Sequence, residues 1–502
     1  MNNFITINFF IICLCIVSST VLSQENSIKF AAPADKKIFV LPVPNNKIPL
    51  QSEIIITVNG IKLNNKATAL TQWTNDNEAT FIRLLQINVN KQNDQNQKEN
   101  ITYRLQWLPA KKEINTQIIK NKNSPHLVYP SAQWLAESIL LHPKITQLDT
   151  SWYTSQKTLY ANFVTNDLLL KQHKYPPARA SQWLFDRPRS IFQLFILTNT
   201  SKWLNQGKRL TEFYLSNLDE QGTFTLKKQF DLKYLMPNGL LYFYLLTGDN
   251  RIKPVLKAFF EQSLNWQATY KSNYQFWTER HQAAALNIAI TYWEISGSPQ
   301  AKNRIDEIID ATVQMTFNPK NEWQIIGCPQ HTYKSHEGKA GNSPVCSPWM
   351  MALLGDGLWR YYRLTHDKRS AALLNAFGDF MPKYGIHFAD KRLNNQVLPL
   401  YLSSMDNKLL EIKNQWTDGQ HSCDVASLIG KSLYIKRKTN EDTFLLQELF
   451  NVFVQQCKDM SLKNKYNKKD YALMLPPRRF GWTYSTTSDL PWLTSWLNDS
   501  AD

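Results

Sequence analysis

The sequence predicts a mostly α-helical protein in which five to six helical hairpins close into an (α/α) toroid behind an N-terminal β-sandwich domain. Three observations predict this fold. Strand-like runs separated by polar turns fill the first 150 residues, helical periodicity follows from about residue 155, and one turn motif then recurs between the helices. At 502 residues, of which 43% are hydrophobic, the chain can form more than one domain with a large core.

The first 23 residues (1–23) predict an export signal. They carry no charged side chain, they are mostly apolar from Phe4 to Leu22, and the small residues Val21 and Ser23 precede Gln24. This pattern is typical of a signal peptide that is cleaved after export. A retained membrane anchor is the alternative, because the apolar run is nearly long enough to span a bilayer. We therefore expect an exported, periplasmic or extracellular protein that makes no membrane contact after cleavage.

Residues 24–150 predict the β-sandwich domain. Three β-rich runs, "SEIIITVNGIKL", "ATFIRLLQINVN" and "ITYRLQWLP", are broken by an Asn-Gly turn and by polar segments. The stretch "NKQNDQNQKEN" (90–100) is a polar, low-complexity loop. The boundary with the next domain is expected between residues 143 and 155.

Residues 151–502 predict the toroid, because five similar turns punctuate the helical region. They are "ILTNT" (196–200), "LLTGD" (245–249), "EISGS" (294–298), "RLTHD" (363–367) and "RKTNED" (437–442). Helices before each turn are apolar nearly all round, and helices after it are amphipathic. Apolar helices belong inside and amphipathic ones at the periphery, so inner and outer helices should alternate. A straight α-solenoid built from the same hairpins is the alternative.

Four cysteines remain after the export signal: Cys328, Cys346, Cys423 and Cys457. In an exported chain they permit two disulfides, and Cys328–Cys346 is the first choice because it closes a short loop. Their spacing does not resemble a zinc ribbon. No metal and no other cofactor is expected.

The formal net charge of +16 suggests an anionic partner. No segment resembles a nucleic-acid-binding module, so nucleic acid is not expected. For an exported protein, an acidic polysaccharide or oligosaccharide is the more plausible partner. The oligomeric state is not indicated.

Segments rich in polar and aromatic residues alternate strictly with the five turns. Because those from 183 to 421 each precede an inner helix, they should gather on the rim opposite the turns. Helix N-termini on that rim would attract carboxylates. The segments are "WLFDRPR" (183–189), "DLKY" (231–234), "FWTERH" (276–281), "HTYKSHEG" (331–338), "WTDGQH" (416–421) and "FGWTY" (480–484).

Candidate site residues lie in or beside these segments. Those expected to bind substrate through charge, hydrogen bonds or ring stacking are Arg189, Lys233, Trp277, Arg280, Trp349, Trp416, Asp418, His421 and Trp482. Those expected to act as acids or bases are Asp231, Tyr234, Glu279, His281, His331, His336 and Glu337. Each also has a structural alternative as an ion pair, a core ring or a helix cap. A zinc site at His331, His336 and Glu337 is less favoured, because the spacing matches no familiar metal motif.

In its turn motif and in the order of its polar segments, the chain resembles the six-hairpin (α/α)-toroid carbohydrate-active enzymes, which include glycoside hydrolases and polysaccharide lyases. The resemblance covers about residues 30–502 at the level of architecture. It implies a cleft that cleaves a polysaccharide. No family-specific catalytic motif is present, so it assigns no residue a role.

Two mechanisms and one non-enzymatic function stay open. A lyase would use cations to neutralise a uronate carboxylate and a His or Tyr to move protons, and the basic charge and the histidines favour it slightly. A hydrolase would need two carboxyl groups flanking the glycosidic bond, with Asp231, Glu279, Glu337 and Asp418 as candidates. A non-catalytic glycan-binding scaffold would need only the tryptophan rings that stack on sugars, and would tolerate loss of the carboxylates and histidines.

Overall fold

The computed structural model describes residues 26–74, 81–90, 100–116, 125–144, 151–164, 180–227, 229–268, 278–319, 327–337, 341, 343–404, 413–463 and 476–499. The predicted export signal and most of the 90–100 loop lie outside these ranges. Within them, no helix combines the length and the apolar character needed to cross a bilayer.

The N-terminal region forms one seven-stranded sheet in the order β1-β6-β3-β4-β5-β2-β7. Its neighbours pair antiparallel, except for β2 and β7, which are parallel. Asn59 and Gly60 both have positive φ, which is what the tight hairpin turn between β3 and β4 requires. The strands are β1 (Ser27–Pro33), β2 (Ile38–Pro42), β3 (Ser52–Val58), β4 (Ile61–Gln72), β5 (Ile82–Asn90), β6 (Asn100–Pro109) and β7 (His126–Leu127).

The predicted β-sandwich is not confirmed, because the strands belong to one strongly coiled sheet that is nearly a barrel. Strand β4 is long enough to pair with β3 along its first residues and with β5 along the rest. It therefore joins two halves that would be separate sheets in a sandwich. The aromatic rings of Phe30, Phe39 and Tyr103, from β1, β2 and β6, meet inside the curve and fill its core.

The rest of the described chain is mostly helical, as predicted. In chain order its helices and short strands are α1 (Ala132–Ile139), α2 (Ser151–Val164), α3 (Arg187–Thr198), α4 (Ser201–Leu215), α5 (Pro237–Thr247), α6 (Ile252–Ser263), α7 (Thr278–Ser296), α8 (Pro299–Phe317), β8 (His331–Thr332), α9 (Tyr333–Glu337), β9 (Pro344–Val345), α10 (Pro348–Thr365), α11 (Lys368–Tyr384), β10 (Ile386–Phe388), β11 (Val397–Pro399), α12 (Ser422–Lys438), α13 (Phe444–Lys463), α14 (Pro476–Ser485) and α15 (Leu490–Asp499).

Six inner positions form a closed ring, which excludes the straight solenoid. Helices α3, α5, α7, α10 and α12 each contact the next, α15 contacts α12, and α14 returns to α3. Each inner helix packs against its own outer partner: α4, α6, α8, α11 or α13. The sixth pair consists of α2 and α14, from the two ends of the helical region, so the chain closes its own ring.

The five predicted turns end the inner helices as expected. Asn199, Gly248 and His366 are the C-caps of α3, α5 and α10, and each has left-handed backbone geometry. Gly297 after α7 and Asn440 after α12 also have positive φ. This conformation ends a helix and turns the chain back, so all five turns lie on one rim.

The N-terminal sheet packs against this turn rim through a buried charge network. Arg83 of β5 is fully buried, forms an ion pair with Glu294 of α7, and lies over the ring of Trp73 at 4.5 Å. Arg360 of α10 donates to the other Glu294 oxygen at 2.5 Å. One carboxylate therefore joins the sheet to two inner helices.

Two disulfides complete the fold. Cys328–Cys346 confirms the predicted pairing and holds the segment before α10. Cys423–Cys457 joins inner helix α12 to its outer partner α13. Both pairs are consistent with an exported protein.

Replacing Glu294 with Gln should lower the free energy of unfolding by about 3–5 kcal/mol, because two buried guanidinium groups would lose their counter-charge. Denaturant unfolding measures the loss. The matched control is Glu53→Gln, which breaks an exposed ion pair with Lys62 and should cost less than about 1 kcal/mol. Equal effects of the two substitutions would contradict a structural role for the network.

Candidate active site at the helix-start rim

The opening of the ring opposite the turns is the candidate active site, and we call it the mouth. All inner helices begin there, so their partial positive charges point toward the same space. A cavity of about 100 Å³ leads from the mouth toward the ring centre. Polar side chains that line it include Asp186, Arg189, Lys233, Asn238, Arg280, Asn287 and Asp356.

Two of the cations predicted to bind substrate lie at the mouth. Lys233, beside α5, and Arg280, in the first turn of α7, both line the cavity. Burial, followed by the nearby charge of Arg478, lowers the pKa of Arg280 to about 9. Burial also lowers the pKa of Lys233, and Asp231 partly offsets this. A buried cation whose pKa is lowered in this way gains from an anionic ligand.

His281 and Asp231 form a candidate acid–base pair that is buried beside this cavity and does not line it. Nε2 of His281 lies 3.6 Å from Oδ1 of Asp231, and the imidazole stacks on Trp266. Burial opposes ionisation of Asp231, but its contacts with His281 and Lys233 outweigh burial and lower the pKa of the carboxyl. A carboxylate beside one ring nitrogen fixes the tautomer and makes the other nitrogen more basic. Tyr234 follows Asp231 by three residues, and burial, followed by the charge of Asp231, raises the pKa of its hydroxyl.

A chain of ring contacts forms one wall of the mouth. Arg280 lies 5.2 Å from the ring of Phe185 and 5.0 Å from that of Trp349. Trp482 stacks on Phe185 and contacts Trp349 at 5.4 Å, and His421 lies below both tryptophans. These residues come from the starts of α3, α7, α10 and α12 and from α14. Distant segments therefore meet here, as the order of the polar segments predicted.

The floor of the cavity is a buried ion network. Arg189, a predicted substrate-binding residue, donates to Asp356 at 2.6 Å, and Lys431 lies 3.2 Å from the other oxygen of that carboxylate. Burial opposes the charge on Arg189, but Asp356 more than offsets burial and raises the pKa of the guanidinium. Arg189 thus ties α3 to α10 and shapes the closed end of the cavity.

Some residues at the mouth were missed by sequence reasoning. Asp424 lies one turn after His421 in α12, accepts from Nε1 of Trp482 at 2.9 Å, and has its pKa raised well above normal by burial. The His421–Asp424 spacing at a helix start was the available signal. Arg478 and Tyr401 lie outside the polar segments, and nothing in the sequence around them indicates a position at the mouth.

Two predicted residues lie in a fully buried pair. Glu279 accepts from the backbone N–H of Ser347 at 2.7 Å, and Nδ1 of His331 lies 3.5 Å from the same Glu279 oxygen. Burial lowers the pKa of His331 to about 3, so the imidazole is neutral near pH 7. These contacts hold the segment before α10 against α7, which favours the structural alternative for both residues.

Two more predicted residues belong to a segment between α11 and α12. Asp418 is buried and bonded to His387 at 2.9 Å, whereas the ring of Trp416 is mostly exposed. Neither lines the cavity. Trp277 lies outside the described residues, as do the side chains of His336 and Glu337, so their proposed roles stay predictions.

A search of the described residues for three or more neighbouring His, Cys, Asp or Glu side chains that could bind a metal ion finds none.

No protein-family model and no curated protein sequence matches this chain. Its backbone is similar to solved structures of six-hairpin toroid carbohydrate-active enzymes. An unsaturated glucuronyl hydrolase specific for heparin is 12% identical with a TM-score of 0.43, over 67% of this chain and 96% of that one. A family 105 glycoside hydrolase of C. acetobutylicum is 12% identical (TM-score 0.44; 67% and 98% covered). A polysaccharide lyase is 10% identical (TM-score 0.45; 69% and 98% covered). Likeness at this level assigns neither substrate nor mechanism, which must be argued from the residues themselves.

The buried His331 should make the fold sensitive to acid. Its folded-state pKa lies below the unfolded value of 6.5, so its contribution to stability is complete above pH 6.5 and is lost as the pH falls toward about 3. Lowering the pH from 7 to 5 should therefore reduce the free energy of unfolding by about 2 kcal/mol. Urea unfolding of wild type and His331→Gln across this range measures the difference. Parallel pH profiles for the two proteins would contradict a neutral buried imidazole.

Proposed function

We propose that this chain is an exported carbohydrate-active enzyme that cleaves a uronate-containing polysaccharide by β-elimination at the mouth. The observation that carries the proposal is that two cations, Arg280 and Lys233, line one cavity, and that the buried His281–Asp231 pair lies directly behind them, with Asp231 3.4 Å from Lys233. A uronate offers the matching chemistry, because its carboxylate suits the cations and the hydrogen beside that carboxylate suits a base.

In the proposed reaction, Arg280 and Lys233 neutralise the uronate carboxylate. Removing the adjacent C5 proton places negative charge on that group, and fixed cations in a buried site stabilise this charge more than water does. Their lowered pKa values favour the anion-bound state. Binding and activation of the substrate would thus use the same two side chains.

His281 takes the C5 proton in this mechanism. Asp231 favours the tautomer protonated at Nε2, so Nδ1 is the nitrogen that would accept the proton. The electron pair of the C5–H bond forms the C4–C5 double bond, and the C4–O bond breaks. Tyr234 would protonate the departing oxygen, because burial keeps its hydroxyl protonated at neutral pH.

Engaged carboxylates make the hydrolase alternative less suitable. Asp186 accepts from the backbone N–H groups of Arg189 and Gly239, and Asp356 is bonded to Arg189 and Lys431. A hydrolase needs two carboxyl groups that face the glycosidic bond, one of them able to transfer a proton. Two of the described carboxyl groups line the cavity, those of Asp186 and Asp356, and both already form hydrogen bonds that hold the fold together.

The assay uses purified protein with alginate, polygalacturonate, chondroitin sulfate and heparan sulfate, and follows ultraviolet absorbance and new reducing ends. We expect both to rise together on at least one polymer, because elimination creates a double bond for each new end. Reducing ends without absorbance would instead indicate hydrolysis. Binding without either product would indicate a non-catalytic scaffold.

Replacing His281 with Gln should lower kcat/KM by about 10²–10⁴-fold, which is the usual contribution of a positioned general base. The melting temperature should stay near the wild-type value. His366→Asn is the matched control, because His366 caps a helix on the opposite rim in a left-handed conformation that Asn tolerates. Unchanged turnover in His281→Gln, or a large fall in its melting temperature, would place His281 in the core instead of the mechanism.

A further inference from the structure

The segment between α11 and α12 carries an aromatic ring that is mostly exposed to solvent. Its described residues, 385–404 and 413–421, include the β10–β11 hairpin, and we call them the insertion. Trp416 within it is 62% exposed, although an indole ring normally gains from burial. The flat face of an exposed indole is well suited to stack on a sugar ring.

Hydrogen bonds on both sides hold Trp416 in place. On one side, Gln415 and Asp390 bond to each other twice, at 2.8 and 2.9 Å. On the other, Asp418 accepts from His387 at 2.9 Å and from the backbone N–H of Asn414 at 2.6 Å. The ring is thus presented from a braced loop, so less conformational entropy would be lost when a ligand binds.

The charges around the ring favour an anionic ligand. The guanidinium of Arg392 lies 5.2 Å from the Trp416 ring, and Lys391 and Lys413 are exposed in the same insertion. The acids described there are Asp390, which also forms an ion pair with Arg392 at 2.5 Å, and Asp418, which is buried. The three cations thus outnumber the two acids on this surface. A ligand that offers both a ring to stack and a carboxylate would match this surface.

The chain places this surface near the mouth. Trp416 comes five residues before His421, which lies in the mouth wall, so the two are at most about 18 Å apart. Residues Asp418–His421 form a 3₁₀ turn, which shortens the separation further. A glycan that extends a few sugar units out of the mouth could reach the ring.

We infer that Trp416 and Arg392 form a distal subsite that binds an acidic glycan chain several sugar units away from the mouth. This inference rests on the proposed function and adds a property to it: the substrate is a chain long enough to span both surfaces. Affinity should therefore rise with chain length until the ligand reaches Trp416.

The test measures affinity of the full-length protein for uronate oligosaccharides of increasing length, and for the polymer, by calorimetry. The ligands are those of alginate, polygalacturonate, chondroitin sulfate and heparan sulfate, with amylose as the neutral comparison. The variants are Trp416→Ala, Trp416→Phe and Arg392→Gln. Phe444→Ala is the matched control, because Phe444 is 74% exposed and begins α13 directly after a turn on the opposite rim.

In wild type we expect tighter binding of longer acidic chains and no binding of amylose. Trp416→Ala should weaken polymer binding about three- to tenfold and flatten the dependence on length, and Trp416→Phe should restore part of it. Arg392→Gln should reduce the sensitivity of binding to salt. Phe444→Ala should bind as wild type does.

Several results would overturn the inference. They are wild-type affinity that does not rise with chain length, undiminished polymer binding in Trp416→Ala, equal losses in Phe444→Ala, and no binding to any acidic polymer. The proposed function is tested separately. Binding that depends on Trp416, without any cleavage, would support the subsite and contradict the proposed enzymatic activity. Cleavage that is unaffected by substitution of Trp416 would support the proposed activity and contradict the subsite.

Discussion

A closed ring of inner helices is the constraint on which the rest of this structure depends. Each outer helix returns the chain to the rim from which its inner partner started, so all inner helices point the same way. The sheet packs against the C-terminal ends of α5 and α7, and the N-terminal ends of the inner helices surround the mouth. The site is therefore a property of the ring: opening it would disperse the residues that now meet there.

Buried charge serves two different purposes at the two ends of this ring. At the turn rim and in the floor, Glu294 and Asp356 each lie between two cations and join elements that are distant in sequence. At the mouth, Arg280 is stacked between rings near a second guanidinium, and burial lowers its pKa. The first arrangement joins elements of the fold, and the second is the one to which the proposed function assigns an anionic ligand.

The sequence predicted the helical architecture well because its signals are local. The Thr or Ser before a Gly, Asn or His at 198, 247, 296 and 365 marks a left-handed helix end, and such ends depend on a few neighbouring residues. Apolar and amphipathic helices could likewise be distinguished by composition. The sandwich is not confirmed, because the shape of the sheet depends on how the one long strand β4 shares its pairing between two neighbours.

What the sequence determined by itself is the order of the helices and the rim on which the polar segments lie. It only favoured the Cys328–Cys346 pair, because several pairings of four cysteines were possible. Only the tertiary structure decided which of those polar residues face one another. It paired Glu279 with His331 and Arg189 with Asp356. It left Asp231 beside His281. It also brought Asp424 and Arg478, which lie outside the predicted set, to the mouth. The physical reason is that periodicity fixes the direction of a helix, whereas contacts across a ring depend on how the helices rotate and pack against neighbours far away in the chain.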